Sequence, residues 1–335
     1  MAGKPRALII GAVQFATKEL KELRTRYDVE YYSSKSREQF FDDCKTKYAG
    51  VVAAWLGYEA LPTVGMYNKE FVEQLPESMK FLCYNAAGYD FLDVNACAAR
   101  GIYVSHTPSA VDAATATVAA TLILATCRNA IQSERNLHLG RFRNGVSMGM
   151  DPEGKKLGIL GMGGIGKAVA KRMRGFDMEI QYHNRTRLPE EVEQKYAATY
   201  VDFETLLSTS DVLYVSVPLN AATRYLLDTT EFAMMKDGII IVNTARGAVI
   251  RESSLVKALE SGKVRAVGLD VFEEEPKVHP GLLSHPYSVL LPHIGTFTNE
   301  TQHKMECLVL KNLEAALESS TLVTPVPEHK QYFKK

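Results

Sequence analysis

A chain of 335 residues exceeds one ordinary domain, and 39 Lys+Arg against 39 Asp+Glu leave no net charge to hold nucleic acid or an anionic membrane. No apolar run reaches the length of a membrane span, and Met1-Ala2-Gly3-Lys4-Pro5-Arg6 leads into a strand instead of a signal-peptide core, so a soluble, cytoplasmic protein is expected. Five cysteines, Cys44, Cys83, Cys97, Cys127 and Cys307, are dispersed without a CxxC or a Cys/His cluster, which predicts reduced core filler and neither a disulfide framework nor a metal site.

In chain order, Arg6 to Gly11 reads as a strand, Thr17 to Tyr27 as a helix, Val29 to Tyr32 as a strand, Arg37 to Lys47 as a helix and Gly50 to Trp55 as a strand. Phe81 to Tyr84 and Gly101 to Val104 continue the alternation, which calls for a parallel sheet covered by helices on both faces. Asp112 to about Gly140 lacks proline and carries Val118, Leu122, Ile123 and Ile131 at helical spacing, so one long interdomain helix is predicted. Arg141 to Pro152, rich in Gly, Arg and Met, reads as a loop. A second set of strands follows at Leu157–Leu160, Glu179–His183, Asp211–Pro218, Gly238–Asn243, Ala266–Asp270 and Val289–Leu291. The last helix, about Thr298 to Ser319, is long enough to return to the first domain. Residues 1–111 with 299–335 and residues 112–298 are therefore the expected domains, each doubly wound α/β.

Two motifs carry chemistry. Between the strand ending at Leu160 and the helical stretch from Lys167 lies Gly161-Met162-Gly163-Gly164-Ile165-Gly166, the G-x-G-x-x-G pattern whose glycines permit a tight turn, backbone approach to a pyrophosphate and close packing of helix on strand. The second is Arg246 in Asn243-Thr244-Ala245-Arg246-Gly247, Glu275 after Asp270-Val271-Phe272-Glu273-Glu274, and His293 in Leu291-Pro292-His293-Ile294-Gly295, all just beyond strand ends. A guanidinium can hold a carboxylate through paired hydrogen bonds, a histidine can pass a proton near neutral pH, and a carboxylate beside it can orient and charge it. Each residue alone has a structural reading, such as a solvated acidic turn for Glu273 to Glu275; their joint placement at strand carboxyl ends favours reduction of a 2-oxo acid.

With Asn85-Ala86-Ala87-Gly88-Tyr89-Asp90 added as a substrate loop, the chain resembles the D-isomer-specific 2-hydroxyacid dehydrogenases, and within them is most similar to the glyoxylate and hydroxypyruvate reductases of fungi. The resemblance implies two Rossmann-like domains, a flavodoxin-like substrate domain and an NAD(P)-binding domain, with a cleft between them, and a homodimer. It implies that Arg246 binds the substrate carboxylate with the backbone of Ala87 and Gly88, that His293 donates the proton, and that Glu275 supports His293. It places the cofactor against Gly161, Gly163, Gly164, Ile165, Gly166, Asn184, Arg185, Thr186, Val217, Pro218, Thr244, Ala245, Arg246, Asp270, His293 and Gly295, with Asp270 at the nicotinamide carboxamide or ribose. His106 and Thr117 depart from the family's usual residues near the substrate. Glu275 argues against formate dehydrogenases, which usually carry glutamine there.

The cofactor is selected at Tyr182-His183-Asn184-Arg185-Thr186-Arg187, where an NAD site usually has an acid for the ribose hydroxyls. Here two guanidinium groups and a hydroxyl await a 2′-phosphate, so NADPH is expected over NADH. Glyoxylate or hydroxypyruvate is the leading substrate, with a bulkier 2-oxo acid of the 2-oxoisocaproate or phenylglyoxylate type as alternative, Trp55 and Tyr58 as candidate pocket walls, and a corepressor-like nucleotide-sensing protein as the reading from another class. The apolar helix after Asp112 is the expected dimer surface, with Met148 and Met150 reaching the neighbouring subunit.

Overall fold

Short runs of Val, Ile, Leu and Ala bounded by polar or glycine-rich segments form the strands, and most of their residues are buried on both faces, as parallel strands covered by helices must be. The computed structural model describes residues 4–333, which divide into one unit of residues up to Val111 and from Phe297 onward, and a second unit of Asp112–Thr296.

In the first unit β1 (Arg6–Ile10), β2 (Asp28–Tyr31), β3 (Val51–Leu56), β4 (Phe81–Tyr84) and β5 (Tyr103–Ser105) form a parallel sheet ordered β2-β1-β3-β4-β5, a doubly wound order. One face packs Phe40, Tyr67 and Phe71, and the other packs Ile9, Trp55, Leu20 and Leu313. Leu20 comes from the helix Thr17–Arg26 and Leu313 from the helix Asn299–Ser319, which Thr298 caps through its side chain. Buried Glu306 of that last helix accepts the N–H groups of Gln14 at 2.9 Å and of Phe15 and Ala16 at 2.7 Å, fixing the start of Thr17–Arg26.

In the second unit β6 (Lys156–Leu160), β7 (Glu179–His183), β8 (Ala198–Tyr200), β9 (Val212–Val215), β10 (Ile239–Asn243), β11 (Val264–Leu269) and β12 (Ser288–Leu290) are parallel in the order β12-β11-β10-β9-β6-β7-β8. The order reverses between β6 and β9, the place where such sheets open a ligand crevice at their carboxyl ends.

Three expectations change. The three-residue β8 was not anticipated, because Ala-Thr-Tyr is too short to show a period. The strand expected over Asp211–Pro218 ends at Val215. The long helix is broken into Asp112–Cys127 and Ala130–His138, bent by 67° at Asn129. Asn129 sits in the left-handed region at φ 48°, and its side-chain amide donates to the Ser147 carbonyl at 2.9 Å, so the loop beyond pulls the backbone out of helix. The apolar side of Asp112–Cys127 is spent within its own unit on β10, β11 and the helix Gly164–Met173. What remains exposed is a later group, Leu137, Leu139, Phe142 and Met148, the last 90% exposed, whereas Met150 packs partly into the core. Among the described residues no single helix is long and apolar enough to cross a membrane.

Candidate active site

The glycine loop leaves β6 through Gly161 at φ 97°, where a side chain would also press within 2.7 Å of the Ser216 carbonyl oxygen beyond β9. A Cβ on Gly166 would come within 2.6 Å of the Gly161 carbonyl oxygen, so the helix Gly164–Met173 can start this close to the strand only with glycine there. Gly163 differs: a Cβ at that position would meet nothing within 4 Å. No side chain caps this helix, and uncapped first-turn N–H groups, here those of Gly164, Ile165 and Gly166, suit a phosphate. Asn184, at the end of β7, accepts the Met162 N–H at 2.7 Å and ties the loop to the neighbouring strand. Val217 and Pro218 follow β9 beside Gly161. The residues present therefore fit a dinucleotide.

Beyond Asn184 the two arginines part company. Arg187 forms paired bonds with Glu193, Nε to Oε1 at 2.9 Å and Nη2 to Oε2 at 2.7 Å, and Glu193 also accepts the Tyr182 hydroxyl at 2.7 Å. The Arg187 and Tyr182 hydrogen bonds lower the Glu193 carboxyl to about 2. Arg187 is thus committed to its own chain and does not stand ready for a 2′-phosphate. Arg185 and Thr186 are exposed, and among the described residues no side-chain partner of Arg185 is found.

The other motif occupies the carboxyl ends of three adjacent strands. After β10, Asn243 donates to the Arg246 carbonyl and accepts the Ala245 N–H, each at 2.9 Å, which folds Thr244-Ala245-Arg246 into a tight turn. Thr244 is buried and hydrogen-bonds the Tyr214 hydroxyl at 2.8 Å. Arg246 donates to the Ala245 carbonyl at 2.8 Å. The next residue must be glycine, because any side chain on Gly247 would overlap the Phe272–Glu273 backbone beyond β11. That contact sets the arginine turn against the acidic turn.

Within the acidic turn the three glutamates differ. Glu273 accepts the Tyr225 hydroxyl at 2.6 Å and the Glu252 N–H at 3.0 Å, a structural role, and Glu274 faces solvent. Glu275 accepts the Phe272 N–H at 2.9 Å through Oε1 and the Nδ1 of His293 at 2.8 Å through Oε2. Burial raises the Glu275 carboxyl, but the His293 bond and charge, the Phe272 N–H and the Arg246 charge bring it below its usual value. Glu275 thus holds His293 through Nδ1, and Arg246 lies near enough for its charge to bear on the same carboxylate. The His293 side chain is 47% exposed against 28% for Glu275, so the carboxylate is the better shielded member.

Asp270, only 1% exposed, has an anchoring function that sequence reading missed: Oδ1 accepts the Ile294 N–H and Oδ2 the Gly295 N–H, each at 2.8 Å. Burial raises this carboxyl in spite of both bonds. His293 itself sits in the left-handed region at φ 55°, and Asp270 pins the two residues that follow it. Behind the arginine turn, Arg251 stacks 4.0 Å from the Tyr225 ring and pairs with Asp228 at 2.6 Å. No spacing in the sequence announces these supports.

In the first unit, Ala87 and Gly88 follow β4 in a half-buried loop, and among the described residues neither backbone N–H has a protein acceptor. His106 fixes this loop from beneath through a 2.8 Å hydrogen bond between Nδ1 and the Ala87 carbonyl, and burial lowers its pKa. Trp55 is fully buried in the core, whereas Tyr58 is exposed and edge-on to Phe91 at 5.3 Å.

Comparisons with known proteins accord with this geometry. The family model described as the D-isomer specific 2-hydroxyacid dehydrogenase, NAD binding domain, matches residues 120–295. The 4-methyl-2-oxopentanoate reductase A of Aspergillus oryzae is 48% identical over 98% of this chain and 100% of its own. The crystal structure of a glyoxylate reductase from Paecilomyes thermophila superposes with a TM-score of 0.94 at 47% identity, covering 98% of this chain and 100% of that one. The holo D-mandelate dehydrogenase of Rhodotorula graminis gives 0.92 at 33% identity, over 97% of this chain and 98% of that one.

Proposed function

This chain belongs to the D-isomer specific 2-hydroxyacid dehydrogenase family and is an NAD(P)-dependent oxidoreductase, and from that premise we propose that it reduces a small 2-oxo acid, glyoxylate or hydroxypyruvate, with NADPH. The observation that carries this reading is the 2.8 Å contact of His293 Nδ1 with Glu275 at the carboxyl ends of adjacent strands. When bound, the nicotinamide supplies the hydride. Arg246 holds the substrate carboxylate with two hydrogen bonds and polarises the neighbouring carbonyl. His293 Nε2 delivers a proton to the carbonyl oxygen, while Glu275, bonded to Nδ1, keeps the ring oriented. Asp270 holds the backbone that carries His293.

The dinucleotide is assigned to Gly161, Gly163, Gly164, Ile165, Gly166, Val217, Pro218, Thr244 and Ala245, with Asn184 holding the loop. The NADPH preference is assigned to Arg185 with Thr186, since the strand end lacks the carboxylate that would favour a ribose hydroxyl. Relatives named for glyoxylate and for 4-methyl-2-oxopentanoate stand at nearly equal identity, so the branched oxo acid is the second reading. Initial rates with glyoxylate, hydroxypyruvate, 4-methyl-2-oxopentanoate and phenylglyoxylate, each with NADPH and NADH, test both. Highest kcat/KM on glyoxylate or hydroxypyruvate supports the first reading; a preference for the branched acid replaces it. We also propose a dimer that covers Leu137, Leu139, Phe142 and Met148; a monomer in sedimentation at micromolar concentration refutes it. Five cysteines without a disulfide suit a reducing compartment such as the cytosol, and fractionation tests that placement.

A further inference from the structure

The helix Asn299–Ser319 carries His303 and Cys307 four residues apart, hence one turn apart on a single face, and the helix Thr17–Arg26 lays Glu19 against them. His303 Nε2 lies 3.2 Å from Glu19 Oε1 and 3.6 Å from Cys307 Sγ. The three side chains each offer one ligand atom, and these atoms lie within 4.8 Å of one another. Tetrahedral bonds of about 2.0–2.3 Å demand ligand atoms roughly 3.3–3.7 Å apart, a range the two separations approach; Cys307 Sγ also lies 3.7 Å from Nδ1, hence over the ring, so the imidazole must turn for an ion to sit in its plane.

We propose that Glu19, His303 and Cys307 form a binding site for a borderline-soft divalent cation of the zinc class, with water as fourth ligand, that ties the first helix of the unit to its last. The donor set selects the ion: thiolate and imidazole suit zinc, whereas magnesium and calcium take oxygen. The neighbouring residue holds the geometry. Glu306, buried next to Cys307 in sequence, accepts the three N–H groups at the start of Thr17–Arg26, so the two ligand-bearing helices are registered independently of any ion. Partial exposure of all three side chains leaves a path for entry. A redox-reactive thiol is the competing role. Both roles need the thiolate, and the Co²⁺ spectrum separates them, because only metal ligation gives a thiolate-to-metal band.

The test uses the full chain, stripped with a chelator and titrated with Zn²⁺ in competition with a chromophoric chelator. Wild type is expected to bind one more equivalent than Cys307→Ser and His303→Ala, and Glu19→Gln to bind it more weakly by at least about the 10–100-fold typical of losing a supporting contact. Co²⁺ in place of Zn²⁺ is expected to give a thiolate-to-metal charge-transfer band in the near ultraviolet that Cys307→Ser lacks. Equal stoichiometry and affinity in wild type and all three variants, or a wild-type Co²⁺ spectrum without a thiolate band, overturns the site. Should either ligand deletion fail to fold by circular dichroism, the nearly isosteric Glu19→Gln decides the matter: undiminished Zn²⁺ affinity in that variant also overturns it.

Discussion

Replacing Asp270 by Ala removes the acceptor of two buried backbone N–H groups, those of Ile294 and Gly295, immediately after His293. Each bond to a charged acceptor is worth roughly 1.5–3 kcal/mol, but the carboxylate is itself held at a cost, since burial raises its pKa, so the net loss is set at about 2–4 kcal/mol. For a unit of this size, about 1 kcal/mol moves the melting temperature by roughly 2–4 °C, so a fall on the order of 5–15 °C is expected for the unit Asp112–Thr296. Freed from its anchor, the His293 backbone relaxes from its left-handed conformation, and displacement of a reacting group by about 1 Å can cost 10²-fold in rate. The assays are calorimetry, steady-state kcat with the oxo acid, and cofactor affinity by fluorescence. The expected pattern is a lower melting temperature and lower kcat with cofactor affinity changed little. An unchanged melting temperature and kcat, with only cofactor binding weakened, would show that the carboxylate serves the cofactor and that its bonds to the His293 loop are incidental.

Glu275→Gln keeps the shape of the pair and removes the charge 2.8 Å from His293. The neutral amide accepts the Nδ1 hydrogen bond without charge assistance, so kcat with the oxo acid should fall by about tenfold or more while cofactor affinity changes little; an unchanged kcat contradicts the pairing. Arg185→Ala should lower kcat/KM for NADPH by about tenfold or more and leave NADH nearly unaffected, whereas equal harm to both cofactors refutes the phosphate assignment. Glu193 has a folded carboxyl lowered to about 2 from 4.5, so its pairing with Arg187 stabilises fully above 4.5 and less as pH falls toward 2. The melting temperature of Glu193→Gln should therefore lie below wild type at neutral pH and converge with it in acid; a difference that grows on acidification refutes the sign.

The segments that carry Arg246, Glu275, His293 and the glycine loop are legible because they are short and lie at strand ends, and the strand and helix alternation locates those ends. Arg187 shows where this stops. In sequence it stands beside Arg185 as a second phosphate ligand, yet Glu193, on the following helix Glu190–Tyr196, takes both of its donors. The break at Asn129 carries no proline or glycine, and the force that makes it comes from Ser147, 18 residues later. His303 and Cys307 could have been paired by their helical spacing, but Glu19 reaches them across 284 residues, a proximity that only the packing of the first and last helices creates. For Asp270 the family resemblance implies a contact with the nicotinamide carboxamide or ribose, and its two backbone partners become visible only when the loop after β12 is folded against β11.

Proton delivery by His293 is the step on which the proposed reduction depends, and the most direct measurement is the single-turnover rate of NADPH oxidation by glyoxylate in wild type and His293→Ala, with cofactor affinity determined in parallel. Loss of a positioned proton donor should slow that step by about 10²–10⁴-fold while leaving cofactor affinity nearly unchanged. A rate within a few-fold of wild type would contradict the assignment of His293 and, with it, the role given to Glu275.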